Sequence, residues 1–252
     1  MSGGIDRTQV FRPNIKANTE STKLDNLFVD VPKDATVRVR ILPILSESSL
    51  IFVRAEQHYK MKATTGRGTA LACLKTHGTD DTGDNCYLCD LSRVLVREGD
   101  AAEVLIGKDI SVSPRWYTQV LLAEEVGRDE KNKPILKYNG PKLLGLPKTG
   151  ADGVNTILNN MDVAGTPLFT EIDDGQDLLI TRHSASPWYT VDRTGIETSL
   201  DDIFPDWEKK IMPDVYAELG LKVVTREEQK QAAMRAFGDE LDWVALAEAH
   251  GL

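Results

Sequence analysis

The chain has 252 residues, 41% of them apolar, and a formal charge of −9, which is enough to bury a core as one elaborated domain or a domain with appendages. No run approaches the roughly 20 apolar residues of a membrane span, and Asp6, Arg7, Arg12 and Lys16 stand where a signal peptide would be apolar, so a cytoplasmic protein is expected. Three cysteines, with only two residues between Cys86 and Cys89, argue against a disulfide framework and for a metal or redox site.

Residues 1–30 mix Asn, Thr, Ser, Arg and Lys without periodicity and read as a flexible arm. The first expected strand is Thr36 to Leu42, where Val37, Val39 and Ile41 alternate with Arg38 and Arg40 before Pro43 ends the run. A second spans Leu50 to Met61, with Val53, Ala55, Tyr59 and Met61 on one side and Arg54, His58 and Lys60 on the other. A Thr- and Gly-rich loop leads into the cysteine region, whose turn residues run from Gly78 to Asn85. Leu88, Leu91, Val94 and Leu95 recur at helical spacing, which places Cys89 on the first turn of a helix ending near Gly99. Further strands are expected at Val104 to Val112, Trp116 to Ala123, Leu178 to His183 and Trp188 to Val191. Between them lie a polar turn at Gly127 to Asn132 and a short helix at Asn155 to Met161. After Asp201 the pattern turns helical: Thr225 and Glu228 make a capping box ahead of Ala232, Ala233, Ala236 and Phe237, Gly238 is the stop, and a last helix starts at Asp239. Strands first and helices last imply a mainly β, barrel-like core (31–200) with a helical C-terminal appendage (201–252).

Charge divides the same way. From Asp201 to Leu252 there are 12 acidic and 6 basic residues. Between Pro32 and Thr76, Lys33, Arg38, Arg40, Arg54, Lys60, Lys62, Arg67 and Lys75 face only Asp34, Glu47 and Glu56. A single nucleic-acid strand is held by cations along a groove and by aromatic faces on which bases stack. The phosphate candidates are Arg38, Arg40, Arg54, Lys60, Lys62 and Arg115, and the stacking candidates are Tyr59, Trp116, Tyr117, Trp188 and Tyr189. Neighbours on a strand point to opposite faces, so each Trp-Tyr pair should place one ring in the core and one outward.

Zinc takes four ligands in a tetrahedron and accepts thiolate and imidazole. Cys86 and Cys89 offer two thiolates from one knuckle, and Cys73 a third from across a loop. The fourth ligand falls to a histidine; His58 and His77 are near, and spacing alone divides them evenly. A catalytic role is disfavoured. The zinc-deaminase pattern needs a glutamate two residues after the histidine and a proline before the cysteine pair, whereas His58 is followed by Tyr59-Lys60, His77 by Gly78-Thr79, and Asn85 precedes Cys86. A nuclease would need a carboxylate cluster, and Asp80, Asp81 and Asp84 lie together only in a turn.

These segments resemble the T4-type bacteriophage single-stranded DNA-binding proteins. The resemblance covers residues 36–200 and rests on Thr36-Val37-Arg38-Val39-Arg40-Ile41-Leu42-Pro43, His58-Tyr59-Lys60, Cys73-Leu74-Lys75-Thr76-His77-Gly78, Cys86-Tyr87-Leu88-Cys89 and Arg115-Trp116-Tyr117. It implies an OB-fold-like five-stranded barrel, a zinc subdomain at about 58–99, self-association along DNA through the N-terminal arm, and an acidic tail that recruits replication and recombination proteins. It also implies that His58 joins Cys73, Cys86 and Cys89 around a structural Zn2+, with His77 a bystander. In this reading the protein is no enzyme; it works in the host-cell cytoplasm, and its acidic end competes with DNA for the basic groove. The contrasting expectation is a zinc-containing structural or transcription adaptor that binds proteins through its acidic helices.

Overall fold

The computed structural model of the protein describes residues 27–43, 51–62, 68–78, 85–166, 168–184 and 188–252. Among them the chain is mixed α/β, and eight strands make up a mixed sheet. The chain separates into two compact units, one formed by residues 1–53 and 116–220 and the other by residues 54–115 and 221–252. No described helix is long and apolar enough to cross a membrane. The calls on the arm up to residue 26 and on Asp80, Asp81 and Asp84 lie outside the described residues.

The first unit is built on six strands: β1 (Phe28–Val29), β2 (Ala35–Ile41), β5 (Val112–Arg128), β6 (Pro134–Leu146), β7 (Gly175–Arg182) and β8 (Tyr189–Thr198). They are ordered β1-β6-β5-β2-β7-β8, with β1 parallel to β6 and the other neighbours antiparallel. In β2 the alternation expected from sequence sends Val39 and Ile41 into a cluster with Val120, Leu144, Leu178 and Ile180. Helix α4 (Lys148–Ala164) covers that cluster through Ala151, Val154 and Met161. The other face is also covered. Leu42 and Leu121 pack with Leu200, Trp207 and Ile211, which come from the short helices α5 (Leu200–Ile203) and α6 (Trp207–Lys210). The segment from residue 201 to 220, which also contains α7 (Val215–Glu218), is therefore part of the sheet unit and not an appendage.

The second unit pairs β3 (Val53–Lys62) with β4 (Gly68–Ala72), His58 standing opposite Leu71. Around this hairpin lie α1 (Leu74–His77), α2 (Tyr87–Glu98), α3 (Ala101–Asp109), α8 (Arg226–Phe237) and α9 (Trp243–His250). Met61, Leu71, Leu74, Leu88, Leu91, Leu95 and Ile110 share one core with Ala233, Ala236, Phe237, Leu241 and Leu246. The last acidic stretch is thus also a structural wall, with Ala233, Ala236, Phe237, Leu241 and Leu246 internal to this unit and Val244 exposed.

One expectation for local structure fails for an identifiable reason. The expected strand from Val104 to Val112 is instead mostly helix, because Asp100 and Glu103 form a complete capping box that starts α3. Gly107 lets α3 approach α2: a Cβ there would lie 2.9 Å from the Leu95 Cβ, and Ser92 Oγ donates to the Gly107 carbonyl at 2.7 Å. Strand β6, not anticipated from sequence, contains Gly140-Pro141, and a register shift between Val120 and Leu122 accommodates the pair. The capping box of Thr225 and Glu228 and the stop at Gly238 are present as expected.

Candidate metal centre

Four side chains converge in the second unit: His58 from β3, Cys73 at the end of β4, and Cys86 and Cys89 at the start of α2. Local structure explains why their sulfurs are available. Cys73 caps α1 and Cys86 caps α2 through extended backbone, and in neither case does the side chain bond to the helix's own amides. Cys89 lies one turn into α2. Partial positive charge at a helix N-terminus favours thiolates.

The ligand atoms all lie within 4.8 Å of one another. Cys73 Sγ is 3.5 Å from Cys89 Sγ, and His58 Nε2 is 3.3 Å from Cys86 Sγ and 3.7 Å from Cys89 Sγ. His58, Cys73 and Cys86 are buried, and none of the three cysteines is in a disulfide. The strand alternation alone would put His58 and Met61 on opposite faces; a bulge between them lets both be buried.

A second layer of contacts orients the ring. His58 Nδ1 is 2.7 Å from the Ile110 carbonyl at the end of α3, so Nδ1–H donates and Nε2 presents its lone pair to the thiols. Without an ion, burial depresses the His58 pKa, but hydrogen bonds that the protonated ring donates to Cys73, Cys86 and the Ile110 carbonyl outweigh it and raise the value to about 9. Hydrogen bonding with Cys73 and Cys89 pulls Cys86 far below an ordinary thiol, while Cys89, hydrogen-bonded to Cys73 and Cys86, is pushed far up. A cation bound by these four atoms would take the place of thiol protons.

His77 faces elsewhere. Its Nε2 accepts the Glu56 backbone N–H at 2.9 Å, and burial lowers its pKa against the opposing pull of Glu56. The open choice between the two histidines is thereby resolved geometrically: His58, not His77, joins the three cysteines.

Sequence reasoning missed Gln229. It is buried on α8, its Nε2 donating to the Ala72 carbonyl at 3.2 Å and its Oε1 lying 3.4 Å from Cys86 Sγ. A polar residue in the apolar stripe with Ala233 and Ala236 was the available signal.

The nucleic-acid candidates fare unevenly. Arg40 is fully buried, donating to the Glu171 carbonyl at 2.5 Å and to the Thr198 carbonyl at 3.2 Å. Burial lowers its pKa, with Asp177 opposing. Arg38 Nε pairs with buried Asp177 at 2.6 Å, and Asp177 also accepts from Tyr138 OH at 2.7 Å. Arg40 is withdrawn from the phosphate set because α5 and its approach cover that face of β2, and Arg38 because its guanidinium is committed to Asp177. Arg54 is exposed but paired with Glu56. Tyr59, Arg115, Trp116 and Tyr189 are half-buried, and Trp116 and Tyr189 pack on the sheet core. Tyr117 is buried edge-on to Phe28, opposite Gly145, where a Cβ would sit 2.6 Å from its ring. Trp188 is 60% exposed. The side chains of Lys60 and Lys62 lie outside the described set.

Comparison with models of known protein families and with curated proteins finds no match for this chain.

Proposed function

We propose that this protein is a non-enzymatic single-stranded DNA-binding protein with a structural zinc ion, of the kind that coats strands without sequence specificity during phage replication, recombination and repair. The observation that carries the reading is the threading of the chain. Strand β2 lies between β5 and β7, β5 pairs with β6, β7 pairs with β8, and α4 connects β6 to β7. We read this threading as that of an OB barrel, whose second and third strands and whose first-to-second and fourth-to-fifth loops bind oligonucleotides. Among the described residues the pairing ends at β8 without a ladder back to β6, which suits the partly open form. In that frame the residues carrying the metal cluster occupy the first-to-second connection, and Trp188 stands in the fourth-to-fifth.

The donor set favours zinc. A tetrahedron with Zn–S near 2.3 Å and Zn–N near 2.05 Å has edges of about 3.8 Å between sulfurs and about 3.6 Å between sulfur and nitrogen. The Cys73–Cys89, His58–Cys86 and His58–Cys89 separations of 3.3 to 3.7 Å are close to these, and all four ligand atoms lie within 4.8 Å of one another. Three thiolates and an imidazole fill all four positions, so the ion has no site for substrate and serves to hold the fold. Cys73, Cys86, Cys89 and His58 would hold it, and the Ile110 carbonyl would fix the ring. DNA binding then falls to the exposed ring of Trp188 and to the remaining cationic candidates of the sequence, Arg54, Arg115, Lys60 and Lys62. Recruitment of replication and recombination proteins falls to exposed acids such as Asp239, Glu240, Asp242 and Glu248, since Ala233, Ala236, Phe237 and Leu246 of α8 and α9 are internal.

Elemental analysis together with anisotropy of a labelled dT oligomer tests the reading. One zinc per chain, dT binding that duplex DNA competes poorly, and no strand cleavage with magnesium are expected. A metal-free folded chain, or a chain indifferent to dT, would overturn it.

A further inference from the structure

We propose that the metal-bearing unit has a phosphate site of its own, formed by Lys75, Arg93 and Arg226 around Asp90. The proposal rests on the single-stranded DNA reading and adds residues that the sequence candidates did not include. The cations come from three elements, α1, α2 and α8, and meet at one carboxylate. Arg226 NH1 lies 2.8 Å from Asp90 Oδ2, Arg93 NH1 3.5 Å from Oδ1, and Lys75 Nζ 3.8 Å from Oδ1. One carboxylate balances one cation, so the cluster keeps a local positive excess in a chain whose net charge is −9. The three side chains are 31%, 51% and 35% exposed in the order given. A guanidinium has five N–H donors in a planar fork, and the Asp90 contacts leave donor capacity suited to phosphate oxygens.

The platform under the cluster is a buried aromatic ring. Arg226 lies over the Tyr87 ring at 5.4 Å from its centroid, and Lys230 at 5.8 Å. Tyr87 is buried between Cys86 and Cys89, so the residues that gather the ion also seat the ring beneath the cations. Lys230 is not counted, because its ammonium donates to the Leu252 carbonyl at 2.8 Å. Glu227, next to Arg226 on α8, also bears on this face, and it accepts a hydrogen bond from Gln231 Nε2 at 2.9 Å. The ligand class is the phosphodiester backbone of a single strand, held as a point of positioning and not of sequence readout.

The test is the salt dependence of dT binding in the zinc-loaded full chain, for wild type, the double variant Lys75→Ala/Arg93→Ala, Asp90→Asn, and the control Arg97→Ala, an exposed cation on the same helix. Each single-strand phosphate contact contributes about 0.7 to the slope of log K against log salt. The double variant should lower that slope by about 1.4 and weaken low-salt binding roughly tenfold, with zinc content and thermal unfolding unchanged. Asp90→Asn should tighten binding, and Arg97→Ala should leave the slope alone. Wild-type binding with the same slope in the double variant overturns the site while leaving the DNA reading intact. Inorganic phosphate displacing dT at matched ionic strength would overturn the assignment to a strand backbone. A wild-type chain that binds no dT refutes the DNA reading, and the site with it.

Discussion

In the sheet unit, charges taken out of water are matched by one another: Arg38 by Asp177, Asp177 also by Tyr138, and Arg40 by the carbonyls of Glu171 and Thr198. In the metal unit, the buried polar groups are His58 and thiols turned toward a common centre, and their mutual hydrogen bonds leave an arrangement that a cation would complete. The first unit can therefore fold on what its own chain supplies. On the proposed reading the second is tied together by an ion that would join β3 to the starts of α1 and α2.

The largest effect should follow from removing that ion. Chelation, or His58→Ala, should cost on the order of 10 kcal/mol in the metal unit and collapse hydrogen-exchange protection over residues 54–115 and 221–252, while β2 and β7 stay protected. His77→Ala should keep the metal. Loss of protection in both units together would erase the contrast between them.

Next in size is Asp177→Ala. It leaves Arg38 unpaired and deprives Arg40 of its nearest countercharge, at a cost of about 3–5 kcal/mol typical of breaking a buried pair. Thermal unfolding should show the loss in the sheet unit with zinc content unchanged. Trp188→Ala should weaken dT binding by about 1–3 kcal/mol, the worth of one stacked base, with no change in melting temperature. An equal drop in stability would mark the ring as packing instead. The smallest effect belongs to Thr225→Ala, which removes the α8 cap and should cost about 1 kcal/mol in the metal unit alone.

The parts legible in sequence were those whose partners are close along the chain. Cys86, Cys89 and the helix beginning between them follow from spacing, as do the Thr225–Glu228 cap and the stops at Gly99 and Gly238. His58 could not be chosen over His77 from spacing, because the choice depends on β3 curving past α3 so that Ile110 can fix the ring. Arg38 and Arg40 were misread for a related reason. Alternation reports which face a side chain takes, not what later covers that face, and the cover here comes from residues near 171, 177 and 198–211. The Asp90 cluster was invisible because Arg226 is far from Lys75 and Arg93 in sequence.

The central claim is that this fold binds a single DNA strand through phosphate charge and an exposed ring. Tryptophan fluorescence during oligo(dT) titration across a series of salt concentrations tests it most directly. The account predicts quenching, diminished in Trp188→Ala, with log K falling linearly as log salt rises because bound phosphates release their counterions. Fluorescence unmoved by oligo(dT) at the lowest salt would contradict it.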